Sequence, residues 1–312
     1  MKKRKQPETS VAPSEARSHI VKTLRRLGTT TSLRQLWDDW VEGMALALSN
    51  FGGNSNPLLR DEVWIAREAR YMQLVGRHGP EVWREIAGLY PVLVDLVEEL
   101  HGYGTAPPMK QAWSGGGDPL GELFMELELG NDAGGQFFTP WSMCVVKAHM
   151  LMSDLPDLVE QLGFVTIEDP AVGSGTTLLA AAAHALELGV NPQTQMRFHG
   201  RDISASAVHM AFVNCALRGL PAIIEHGDTL RMEIWSRWVT PMFLMGGWKY
   251  RRQRQPETPP RELLRAAVGL DLPDALLVLR VRDLPDPGSA VRAAAEAVAA
   301  DEACDAGPEE FA

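Results

Sequence analysis

Hydrophobic positions along this chain change their spacing midway. Between residues 33 and 48 they recur at helical intervals, with Leu33, Leu36, Trp37, Trp40, Val41, Met44, Ala45 and Leu48 on one face. A loop at residues 51–57 follows, then a second helix over residues 61–75. A third begins at Pro80, with Val82, Trp83, Ile86, Leu89, Leu93 and Leu96 inward and Pro91 kinking or splitting it. This pattern predicts a small bundle whose tryptophans are core. The Gly- and Pro-rich residues 101–117 read as a linker. Asp118-Pro119 then offers an N-cap with proline in the first turn, and Leu120, Leu123, Phe124 and Leu127 face one way before Gly130.

From residue 164 the apolar runs shorten and alternate with helices. Phe164-Val165-Thr166-Ile167 reads as a strand closing on Glu168-Asp169, and residues 176–188 form an Ala- and Leu-rich helix that stops at Gly189. Residues 196–200 are a second strand ending at Arg201-Asp202. Residues 203–217 are a helix stopping at Gly219, and residues 221–225 are a third strand ending at His226-Gly227-Asp228. This order predicts a right-handed parallel βαβαβ half-sheet, hence an α/β doubly wound domain. Each strand closes on an acid, Asp169, Asp202 or Asp228. Ligands of open parallel sheets sit at the carboxyl ends of the strands, so the three acids would edge one crevice. Each alone is also an ordinary strand-end or helix-cap carboxylate, and beside Pro170 both readings of Asp169 stand.

Two motifs add chemistry to this layout. In Asp169-Pro170-Ala171-Val172-Gly173-Ser174-Gly175-Thr176 two glycines flank a serine between strand and helix. Such a turn lets backbone N–H groups approach a ligand and aims the helix's positive end at it. The third glycine of the dinucleotide fingerprint is missing, which disfavours a nicotinamide enzyme. Upstream, Gly135-Gln136-Phe137-Phe138-Thr139-Pro140 leads into a helical run from Trp141, with Thr139-Pro140 suited to a cap and first turn. In order and spacing the two motifs resemble the adenine-specific N-6 DNA methyltransferases, especially the modification subunit of type I restriction systems, over roughly residues 117–230.

The resemblance implies a Rossmann-like S-adenosylmethionine-dependent methyltransferase fold behind a helical amino-terminal domain. It implies S-adenosylmethionine held by Gln136, Phe137, Phe138, Thr139 and Pro140 together with Gly173, Ser174 and Gly175, beside Asp169. By the same carry-over Asp202 accepts from the ribose hydroxyls and Asp228 meets the adenine amino group. DNA is the implied substrate, in a restriction-modification setting. The chain shows no distinct target-recognition domain, so a separate specificity subunit is an implied partner.

The resemblance further implies a fourth strand ending in Asn-Pro-Pro-Tyr or a close variant, within a sheet of seven strands. The exocyclic amino group of adenine is a weak nucleophile because its lone pair is conjugated into the ring. An Asn or Asp side chain and a proline carbonyl accept its two hydrogens, and the aromatic ring stacks on the flipped base. No such tetrapeptide follows Asp228. Thr258-Pro259-Pro260-Arg261 lacks both the acceptor and the aromatic, and fewer than seven strands can be counted. Catalytic residues are therefore unassigned. Three functions stand: an S-adenosylmethionine-dependent DNA adenine methyltransferase, a catalytically inactive cofactor- or DNA-binding partner subunit, or a methyltransferase of another substrate.

Charge narrows the partners. A net charge of −10 argues against a protein that coats DNA by bulk electrostatics. Residues 1–30 are basic (Lys2, Lys3, Arg4, Lys5, Arg17, Lys22, Arg25, Arg26) and read as a disordered tail, either solubilising or touching phosphates. Residues 231–255 interleave Trp235, Trp238, Phe243, Trp248 and Tyr250 with Arg231, Arg237, Lys249, Arg251, Arg252 and Arg254. They make either a DNA-contacting surface or an amphipathic helix and loop packing its tryptophans against the sheet with the arginines solvated. Domains are expected at residues 1–30 (tail), 31–116 (helical), 117–255 (methyltransferase-like) and 256–312 (an extension with an acidic end). Within the last, residues 263–268 and 291–300 read as helical and 274–281 as strand or helix. Cys144, Cys215 and Cys304 are scattered, which suits free thiols in a reducing, cytoplasmic compartment. His149, His184, His199, His209 and His226 share no ligand spacing, so no metal is expected. No run spans a bilayer and no signal peptide is legible, so no membrane partner is expected.

Overall fold

A computed structural model describes residues 15–29, 32–55, 60–101, 117–130 and 138–254 of the chain. Its first element corrects the expectation of a disordered tail over residues 15–27, where α1 (Glu15–Leu27) is a 13-residue helix; residues 1–14 of that tail lie outside the described residues. Its polar composition hides an apolar stripe, in which Ile20, Val21, Leu24 and Leu27 are buried. Two of its basic residues are paired within the chain, Arg17 with Glu122 and Glu126 and Arg26 with Glu85.

The expected bundle follows as α2 (Leu33–Ser49), the short α3 (Phe51–Ser55), α4 (Glu62–His78), α5 (Pro80–Ala87) and α6 (Leu89–His101). α3 occupies part of the expected loop at residues 51–57. The third helix breaks at Gly88, not at Pro91. Pro91 instead lies in the first turn of α6, where its missing N–H has no intrahelical partner to lose. α7 (Pro119–Glu126) starts at the predicted cap, with Asp118 accepting from Gly121 N at 2.8 Å. Next come α8 (Trp141–Leu151) and α9 (Leu155–Leu162). Pro140 is itself the N-cap of α8 and no side chain caps that end, so Thr139 does not play the capping role its sequence suggested.

The sheet has four strands in the order β1-β2-β3-β4. β1 (Val165–Asp169), β2 (Met196–Asp202) and β3 (Ala222–Asp228) are parallel, as the repeated layout required. The connections are α10 (Thr176–Glu187) with the short α11 (Pro192–Gln195), and α12 (Ala205–Leu217). β4 (Glu233–Val239) turns back antiparallel along β3, so the helix expected there under the packing reading is instead a strand, its polar residues finding partners along β3. β1 is thus an edge of the described sheet. α13 (Pro241–Met245) and a 3-10 turn at Trp248–Tyr250 complete the described chain. The expected elements at residues 263–268, 274–281 and 291–300 lie outside the described residues.

Burial separates the two faces of the sheet. Met196, Phe198, Ala222 and Ile224 are fully buried on the face against which α10 and α12 pack. α2 packs in turn on α12, where Ser206 donates to Asp38 at 2.6 Å. Trp37 joins Trp40 and Phe124, and Phe124 meets Phe138, so bundle and sheet share one apolar core. On the other face Glu225 is held by Arg201 (2.7 Å), Arg237 (2.8 Å) and His199 (3.1 Å). Beside that cluster, Phe164, Phe243 and Trp248 form a small second apolar group with Ile223 and Val239.

Candidate cofactor site

The carboxyl ends of β1, β2 and β3 lie side by side. Asp169 pairs in register with Gly200, and Asp202 with His226. The loop leaving β1 stays attached to this edge. Val172 donates to Arg201 O at 2.9 Å, and Thr229 donates its hydroxyl to Pro170 O at 2.6 Å. Gly173 (φ +56°) and Gly175 (φ +93°) then take left-handed conformations that a side chain would strain. Gly175 is the N-cap of α10 and no side chain caps that helix, so its first N–H groups remain available to an acceptor.

A buried polar node lies beneath the loop. Asp118 takes hydrogen bonds from Thr176 Oγ1 (2.6 Å), Asn214 Nδ2 (2.7 Å), Gly121 N (2.8 Å) and the Ser174 hydroxyl. Burial raises the Asp118 pKa, and these four donors only partly oppose the shift. One carboxylate thereby caps α7 and fixes the start of α10. In the sequence Asp118 was legible only as a helix cap. Asn214 and Thr176 carried no mark of this role, because what joins them is the crossing of three helices.

The structure sorts the expected site residues. Phe138 is half-buried with its ring against Gly173, where an added Cβ would lie 3.0 Å from the ring. The two motifs therefore do converge, across a gap of more than thirty residues in the chain. Thr139 and Pro140 are exposed at the start of α8. Gln136 and Phe137 lie outside the described residues. Ser174 is wholly buried and its hydroxyl faces Asp118, which leaves its backbone for the ligand contact the sequence suggested.

Each of the three acids also serves the backbone. Asp169 accepts from Ala171 N at 3.1 Å. Asp228 accepts from Leu230 N (2.9 Å) and Arg231 N (3.1 Å). Asp202 takes Ser204 N on one oxygen (2.8 Å) and Gly173 N on the other (2.9 Å), which ties the end of β2 to the glycine loop. A carboxylate has about four acceptor sites, so each acid keeps capacity for a ligand donor.

The aromatic and cationic stretch after Asp228 divides between its two readings. Trp238, Phe243 and Trp248 are buried. Arg237 binds Glu225, and Arg251 lies over Trp248 while donating to Thr194 O at 2.6 Å. Trp235, Lys249 and Tyr250 remain exposed. Packing thus claims most of the rings, and a smaller exposed set is left. Among the described residues no helix is long and apolar enough to cross a membrane.

Residues 124–245 match the family model described as N-6 DNA Methylase. No curated protein matches the chain. Among solved structures, the chain is similar to a type I restriction-modification system methyltransferase subunit from Streptococcus thermophilus, with 18% identity and a TM-score of 0.34 over 71% of this chain and 59% of that one. It is also similar to a protein from Listeria monocytogenes described as a class I S-adenosylmethionine-dependent methyltransferase, with 15% identity and a TM-score of 0.30 over 76% of this chain and 70% of that one. The chain thus spans about three fifths of the Streptococcus subunit's length.

Proposed function

We propose that this chain, whose residues 124–245 match the N-6 DNA methylase family model, binds S-adenosylmethionine at the carboxyl edge of β1, β2 and β3 and serves methylation of adenine N-6 in DNA. The observation that carries the reading is the meeting of Phe138 with Gly173, which joins the two motifs the family match contains. The residues present suit the cofactor. The uncapped start of α10 offers N–H donors for a carboxylate, the glycines bring the loop close to it, and Phe138 offers an apolar wall. Asp202 and Asp228 offer acceptors for sugar hydroxyls and a base amino group. When bound, S-adenosylmethionine supplies an electrophilic methyl group. The part of this chain is to hold and orient it, with Asp118 keeping α10 in place and Asp202 keeping the loop on β2. Residues 117–255 would be the methyltransferase domain, residues 31–116 its helical support, and the setting cytoplasmic.

A second reading, cofactor binding without transfer, is favoured by a specific feature. The 312 residues contain no Asn-Pro-Pro-Tyr tetrapeptide to hold the target base. Under it a partner chain contributes the base-holding residues, and a specificity subunit the target sequence. Incubating the protein with mixed-sequence DNA and cofactor carrying a labelled methyl group separates the two. Label in DNA supports the enzyme; cofactor binding without label in DNA supports the partner role. Absence of both overturns the proposal.

A further inference from the structure

α8 and α10 run side by side in the same direction. Near their amino ends Cys144 Sγ is 3.7 Å from Thr177 Oγ1, and toward their carboxyl ends His149 meets His184 with ring centroids 3.9 Å apart. At that far end three ligand-type side chains converge. Glu187 Oε2 lies 3.0 Å from His184 Nδ1 and 3.3 Å from His149 Nε2. The three ligand atoms all fall within 4.8 Å of one another. No shared spacing of histidines pointed here. His184 and Glu187 are one helical turn apart on α10, while His149 arrives from α8.

We propose that His149, His184 and Glu187 form a site for a divalent transition-metal ion of the zinc class. The donor set is two imidazole nitrogens and one carboxylate oxygen, which leaves a position for water and suits a borderline ion better than magnesium or calcium. Tetrahedral zinc with bonds near 2.0–2.1 Å separates neighbouring ligand atoms by about 3.3 Å. The two histidine-to-carboxylate distances already have that size. His184 is buried and oriented by packing, whereas His149 and Glu187 stand at the surface and leave a path for the ion. The ion would staple the far ends of two helices whose near ends carry the Phe138 segment and the glycine loop. The competing arrangement is hydrogen bonding alone, in which Glu187 accepts from both imidazoles and no ion is needed.

Calorimetric titration of chelator-treated, full-length protein with Zn2+ separates the two, with Co2+ absorption as a check on geometry. The proposal expects one ion per chain, a tetrahedral Co2+ spectrum and a raised melting temperature. His149→Ala and Glu187→Gln change surface positions and should fold; each should weaken Zn2+ binding by more than about tenfold, since loss of even an outer partner costs about ten- to a hundredfold. Absence of saturable binding to the wild type overturns the site. So does binding whose affinity both variants leave unchanged, because the ion would then lie elsewhere.

Discussion

The two faces of the sheet solve different problems with the same strands. One face carries Met196, Phe198, Ala222 and Ile224 against α10 and α12, and its stability comes from removing apolar surface from water. The other gathers Arg201, Arg237 and His199 around Glu225, so that a nearly buried carboxylate is paired on both oxygens. The first should respond to volume and the second to pH. The proposed cofactor edge lies at the carboxyl ends of the strands, beside both faces.

The largest effect belongs to the covered face. Phe198→Ala should cost about 3–5 kcal/mol, because the space left between β2 and its helices collapses only partly. A shift of the urea midpoint at unchanged slope measures it. On the paired face, burial pushes the Glu225 carboxyl up, but hydrogen bonds from His199, Arg201 and Arg237 outweigh it and hold the pKa at about 2 against an ordinary 4.5. Its stabilisation is present above about pH 4.5 and is lost as pH falls toward 2, amounting to about 3 kcal/mol at most. His209 sets an earlier window. Burial, with the positive charges of Arg67 and Arg70 nearby, lowers its pKa from 6.5 to about 3. The unfolded chain takes up that proton first, so stability should begin to fall below about pH 6.5. Denaturant melts across this range should show both steps, and His209→Gln should remove only the earlier one.

Asp118→Ala sharpens the comparison at the seam, since it strands four donors at once. It should cost about 2–3 kcal/mol, and Asp118→Asn, which keeps an acceptor, should cost less. Thermal melts of the two variants give the difference. The smallest effect on folding should come from Gly173→Ala, about 1–2 kcal/mol for a side chain at φ +56° facing the Phe138 ring. That variant should nevertheless lose the cofactor site. Melting curves with and without S-adenosylmethionine distinguish the two consequences.

Much of this fold was legible in spacing alone. Three strands and two connecting helices in the half-sheet follow from short apolar runs closed by acids and glycines, because a parallel strand buried by helices leaves a simple local pattern. Helix α1 was not legible, since four apolar residues among many charges read as a tail until α6 supplies the surface they cover. β4 escaped for a related reason. Only Trp238 on it is buried, and its polar residues gain partners such as Glu225 only once β3 is beside it. At the site the sequence marked the loop and the three strand-end acids. It did not show that Ser174 turns inward, because that depends on Asp118, which lies 56 residues earlier in the chain.

Direct calorimetry of S-adenosylmethionine binding to the wild type and to Asp202→Ala tests the account most closely. Asp202 would face the cofactor with one lone pair while tethering Gly173 with another, and a lost charge-assisted hydrogen bond is worth about ten- to a hundredfold in affinity. The expected result is one site per chain, weakened by about that factor in the variant. Equal affinity in both proteins, or a wild type that takes up no cofactor, would contradict it.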